Sequence, residues 1–130
     1  MSLRSISPVD GRVYAERTPA SAAQIEQTLQ RAHAAQPQWH AVPVPERAAI
    51  IERFCTQFER RGPQIATDLS WQMGRPIRFA PSEVRGTLER ARYMAAIAAA
   101  ALADLDAGAK PGFRRFVRRE PLGVVFTVAA

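Results

Sequence analysis

The chain has 130 residues, 47% of them hydrophobic and 23% charged, which suffices for one domain with a core and excludes a disordered chain. A single cysteine, Cys55, excludes an internal disulfide. The N-terminus lacks the apolar run of a secretory signal. The most apolar stretch, 94–103, is about ten residues against the roughly 20 that span a bilayer, so a soluble, cytoplasmic protein is expected. A net charge of +6 and a pI near 10.9 keep a nucleic-acid or membrane-surface role open.

Chain order begins with a β-hairpin over 5–17. Pro8-Val9-Asp10-Gly11 is a turn signal, because Asp-Gly tolerates the positive φ of tight turns, and short β-favouring runs flank it. Ser21 is a predicted N-cap for a first helix reaching about Gln36. Ala22, Ile25, Leu29, Ala32 and Gln36 recur at helical spacing, and Pro37 is expected to end the helix. Trp39 would anchor the following loop. Pro43 and Pro45 open a second helix, 45–61, where a missing N–H costs little. Its apolar stripe is Ile50, Ile51, Phe54, Cys55 and Phe58, with Arg47, Glu52, Arg53, Gln57 and Arg60 largely off it.

Gly62-Pro63 is read as the break before a third helix, 63–74, carrying Ile65, Ala66, Leu69 and Met73. Gly74 suits its C-terminal turn. A fourth helix is predicted from Ser82 to about Leu105, with Val84, Leu88, Ala91 and Ala95 on one face. Residues 108–112 form a loop.

The last segment changes character. Phe113-Arg114-Arg115-Phe116-Val117-Arg118-Arg119-Glu120 is an extended basic run, turned by Pro121-Leu122-Gly123. Residues 124–130 are almost wholly apolar and rich in β-branched side chains, as in a strand buried on both faces of a parallel sheet. Such a strand needs neighbours that this chain does not supply. There is no internal repeat and no low-complexity tract.

Five stretches in this order carry a resemblance: Ser7-Pro8-Val9-Asp10-Gly11-Arg12-Val13, Gln38-Trp39, Pro45-Glu46-Arg47-Ala48, Met73-Gly74-Arg75-Pro76, and Arg118-Arg119-Glu120-Pro121-Leu122-Gly123-Val124-Val125. Together they span essentially the whole chain, which resembles the N-terminal part of the aldehyde dehydrogenase superfamily. The fold this implies is α/β, mostly helical. It has four helices over 21–106, a hairpin over 5–17, and an extended basic strand leading over 113–130 into the first strand of a Rossmann-like sheet.

The resemblance implies an NAD(P)-dependent enzyme that oxidises an aldehyde to a carboxylic acid. In that chemistry a cysteine thiolate attacks the carbonyl, hydride passes to nicotinamide, and glutamate-activated water releases the acid. An asparagine and a backbone N–H hold the oxyanion. In the family a Trp-Asn pair follows this final strand, so all three catalytic groups are expected beyond Ala130, which itself stands where proline is common. The resemblance therefore assigns this segment no catalytic residue and no metal ligand. It assigns Val128 and Ala129 to the wall of the nicotinamide half of the cofactor site. The segment alone is expected to be inactive, to bind little or no NAD or NADP, and to need the remainder of the polypeptide or a second subunit. The family is usually dimeric or tetrameric.

Other suggestive residues have plainer readings. Cys55 sits on an apolar stripe without a partner base, as a small hydrophobe does. His33 and His40 lack further ligands for a metal, and Asp104 and Asp106 belong to a solvated loop. Trp71 lies off its helix's main stripe, which suits either partial burial or an interface. The alternative to the enzyme segment is a stand-alone helical binding module. Its aromatic-interleaved arginines at 114, 115, 118 and 119 would contact nucleic acid.

Overall fold

The computed structural model describes residues 2–128. Strands β1 (Leu3–Ile6) and β2 (Val13–Arg17) pair antiparallel, Leu3 opposite Arg17 and Ser5 opposite Ala15. The Asp-Gly turn closes as its chemistry requires. Gly11 takes φ +74°, its N–H donates to the Ser7 carbonyl at 2.9 Å, and Asp10 Oδ1 accepts from the Arg12 N–H at 3.1 Å.

Helix α1 (Ala22–Ala41) starts in a capping box. The Gln24 N–H donates to Ser21 Oγ at 3.2 Å, and the Ser21 N–H donates to the Gln24 side-chain oxygen at 2.8 Å. The predicted stop at Pro37 is wrong: the helix passes through that proline to Ala41. An internal proline removes one hydrogen bond and crowds the carbonyl one turn back, which strains a helix without obliging it to end. The stop comes from Pro43, which pushes the residue before it out of the helical region. Val42 accordingly sits at φ −70°, ψ 125°. Trp39 thus belongs to the helix and not to a loop.

Helices α2 (Val44–Arg60) and α3 (Gly62–Met73) are separated by Arg61 alone, which caps both. Gly62 therefore begins α3 instead of forming a break. Val84 Cγ1 lies 3.5 Å from where a Cβ at Gly62 would stand, an ordinary contact distance. Gly74 ends α3 at φ +70°, its N–H donating to the Ser70 carbonyl at 3.0 Å. A side chain there would meet Pro8 Cγ at 3.0 Å, so the same glycine lets the hairpin turn seat on the helix end.

Helix α4 (Ala80–Ala101) begins two residues before the predicted Ser82, because the turn at 76–79 already directs the Ala80 N–H to the Pro76 carbonyl. It also ends earlier than predicted. Leu105–Asp106 form strand β3, paired antiparallel with β4 (Phe116–Val117), Leu105 opposite Val117. Asp106 Oδ1 accepts from the Gly108 N–H at 2.8 Å, and Gly108 and Gly112 take positive φ. This local turn chemistry outcompetes further helix. Residues 118–128, which include the described part of the 124–130 run predicted as a buried strand, carry no ladder and are exposed, and 129–130 lie outside the described residues. A strand is made by its neighbours, and none among the described residues flanks it.

The core lies where α2 and α3 pack on α4. Cys55, Val84 and Leu88 are buried together, ringed by Phe58, Ile65 and Ala91, with Ala66 and Ala80 buried nearby. The accessible surface is 10764 Å². A compact monomer of 14.4 kDa exposes ~6,800 Å², so this fold leaves an excess of roughly 4,000 Å² in water.

Candidate functional site

Of the two positions assigned to a cofactor wall, Val128 is 77% exposed on the strandless tail, and Ala129 lies outside the described residues. Val128 offers a dinucleotide apolar contact and no polar group. Cys55 is 0% exposed against Val84 and Leu88, where no aldehyde can reach its Sγ. Among the described residues, no group of three or more His, Cys, Asp or Glu side chains could hold a metal ion, and no helix is long and apolar enough to cross a membrane.

The tail runs back along α1. Glu120 meets His40, Oε2 to Nε2 at 3.0 Å. Val124 lines a hollow with Leu29 and His33, and Phe126 lines another with Ile25 and Leu29.

The basic segment is turned on itself. The Arg114 and Arg118 guanidinium carbons lie 4.9 and 5.1 Å from the Phe116 ring centroid, and Lys110 Nζ lies 4.8 Å from that of Phe113. Arg115 donates to the Ala107 and Gly108 carbonyls at 3.0–3.2 Å. Arg118 also faces Asp104 and Glu120 at 3.9 and 3.8 Å. The aromatic faces that a base would stack on already carry cations of this chain.

Two polar joins hold the elements. The Tyr14 hydroxyl donates to Asp68 Oδ1 at 2.6 Å, which also accepts from the Gln64 amide at 2.9 Å. The hydrogen bond to the carboxylate raises the Tyr14 pKa. The Tyr14 and Gln64 donors lower that of Asp68. The Tyr14 ring stacks on Trp71, centroids 6.4 Å apart and planes 5° from parallel. Trp71 thus receives the hairpin, which accounts for its place off the main stripe. Across the bundle, the Arg92 guanidinium donates to Glu59 Oε2 at 2.9 Å, tying α4 to α2 and raising the Arg92 pKa.

An apolar groove of about 380 Å³ lies between α2 and α4. Trp39, Ile51, Phe54 and Met94 line it, and α4 contributes a floor of small alanines, among them Ala95 and Ala98. Arg47 lies in its wall, and its Nε is buried with no hydrogen-bond partner. Sequence reasoning set Arg47 off the apolar stripe. The signal was present: Arg47, Ile51 and Phe54 follow i, i+4, i+7 spacing, which puts them on one face. The assembled groove presents apolar surface and one unsatisfied donor, with no nucleophile beside a base.

Comparison with known proteins identifies the family of this chain. The sequence profile of the aldehyde dehydrogenase family matches residues 1–130. The fluoroacetaldehyde dehydrogenase of Streptantibioticus cattleyicolor is 32% identical over 123 residues, covering 92% of this chain and 24% of that protein. The succinate-semialdehyde dehydrogenase [NADP(+)] of Mycobacterium avium is 29% identical over 131 residues, covering 98% and 28%. In solved structures, PnpE in complex with nicotinamide adenine dinucleotide superposes with a TM-score of 0.84 at 25% identity, over 94% of this chain and 25% of that one. The chain spans about a quarter of the length of the relatives it matches. Four helices with small two-stranded sheets, matched along nearly their whole length to the N-terminal part of these proteins, make this chain a member of the aldehyde dehydrogenase family.

Proposed function

We propose that this chain is the N-terminal structural part of an NAD(P)-dependent aldehyde dehydrogenase that oxidises an aldehyde to a carboxylic acid, and that alone it is inactive. One observation carries the reading. The match is nearly complete along this chain and covers only a quarter of each relative, with the fold kept at TM-score 0.84. The relatives' aldehyde chemistry and their use of NAD and NADP support the reading. The buried Sγ of Cys55 and the apolar, exposed Val128 support inactivity in isolation. In this reading, Val128 and Ala129 become one wall of the nicotinamide site once the remaining polypeptide or a second subunit is in place, and the enzyme is cytoplasmic.

The test is spectrophotometric. Purified chain, mixed with NAD or NADP and a panel of aliphatic and aromatic aldehydes, should produce no NAD(P)H above the protein-free rate. Calorimetry should detect no tight dinucleotide binding. Turnover with any aldehyde would refute inactivity of the isolated chain.

A further inference from the structure

We propose that His40 is a positioning residue: through Glu120 it fixes the register in which residues 124–128 lie along α1, and with it the face that Val128 presents. This rests on the reading above, in which Val128 walls the nicotinamide site.

The first support is the track that the tail follows. Glu120 sits at His40, Val124 lines a hollow with Glu26, Leu29, Gln30 and His33, and Phe126 lines one with Ile25 and Leu29. The tail thus runs from the C-terminal end of α1 toward its N-terminal end. Glu26, His33 and His40 recur every seven residues, which puts them on one face of the helix. The spacing along that face fits an extended chain. From His40 to the level of Gln30 is ~15 Å of helix, and the four steps from Glu120 to Val124 span ~13 Å when extended.

The second is that apolar contact cannot choose the register. Side chains of an extended segment alternate in face, so a slip of one residue turns all of them over. Val124 is less exposed than Leu122, Val125, Phe126 or Val128. Its neighbour Val125 is the same side chain, so the hollow would accept either. A polar contact at a fixed distance up the chain tells the two registers apart.

The third is that the contact belongs to a network. His40 Nε2 and Glu120 Oε2 are 3.0 Å apart. Glu120 Oε1 lies 3.8 Å from Arg118 Nε, which lies 3.9 Å from Asp104 Oδ1. An exposed ion pair alone contributes little, whereas several linked charges hold their geometry better. Asp104 precedes β3 and Arg118 follows β4, so the network anchors the start of the tail to that ribbon as well as to α1.

Disulfide trapping in the 130-residue chain reads the register. Val124→Cys is combined either with Ala34→Cys, in the wall of its hollow, or with Gln27→Cys, two turns further on and ~10 Å away along the axis. Cys55 is 0% exposed and stays out of the reaction. The 34–124 pair should cross-link faster than the 27–124 pair. His40→Leu keeps the bulk and loses the polar contact, and should lower the ratio of the two rates about fivefold. Glu120→Ala should do the same, and the two changes together should do no more than either alone. His40→Lys should restore the ratio, which a packing role for His40 would not allow.

An unchanged ratio in His40→Leu overturns the assignment. So does a ratio that leucine keeps and lysine loses, or equal rates for the two pairs in the parent chain. These readouts involve neither turnover nor cofactor, so such a failure leaves the proposed function standing. NAD(P)H production by the isolated chain would refute its inactivity without moving the cross-linking rates.

Discussion

Tyr14 and Asp68 show how one contact sets the condition under which the hairpin holds. The Asp68 pKa is lowered on folding, so its contribution is present above the unfolded value of ~3.9 and lost as pH falls through the lower folded value. The Tyr14 pKa is raised, so its contribution is present below ~10 and lost as pH rises through the higher folded value. Hairpin docking should therefore be flat between these limits and weaken beyond each. Tyr14→Phe should weaken docking slightly throughout and blunt both limbs. Trp71 fluorescence, with Trp39 replaced by Phe, reports this directly, because Trp71 stacks on Tyr14; an unchanged pH profile in Tyr14→Phe would contradict it. At this scale the sequence was readable wherever a residue acts on its own backbone, as Ser21 does in its cap and Gly74 at positive φ. The face that Arg47 shares with Ile51 and Phe54 was readable from their spacing, but that it walls a groove depends on α4, nearly fifty positions away in the chain.

Helix boundaries follow local chemistry more often than a single breaker suggests. Pro37 did not stop α1, while Pro43 acted one residue upstream of itself. The interior proline withholds one backbone hydrogen bond and crowds the His33 carbonyl, at a cost of ~3 kcal/mol in a helix interior. Pro37→Ala should raise helical content and slow amide exchange over 33–41. Circular dichroism and exchange would check this, and unchanged exchange there would show that the proline is absorbed without strain. Helix existence and type were legible from apolar spacing in all four cases. The β3–β4 ladder was only half legible. The basic run was expected to be extended, but its partner at Leu105–Asp106 was assigned to the end of a helix, since an alanine-rich stretch gives no periodic stop.

The whole molecule is less finished than its parts. Among the described residues its buried apolar side chains are one cluster of Cys55, Val84 and Leu88 with Ala66 and Ala80 buried besides, while Leu122, Val125 and Phe126 stand in water on a segment without pairing. Exposed apolar β-branched runs invite edge pairing between copies. Val125→Lys and Phe126→Lys together should reduce self-association of the isolated chain, measured by sedimentation or light scattering against concentration. Equal association in the variant would place the sticky surface elsewhere. The sequence announced that 124–130 needed a sheet. It could not supply one, because strand pairing is a property of at least two segments.

The excess surface has a thermodynamic consequence. The heat capacity of unfolding comes from apolar groups newly exposed to water. A chain whose native state already wets so many of them gains little on unfolding, so its stability curve is shallow and broad. Cooling or warming by a few degrees changes its stability little.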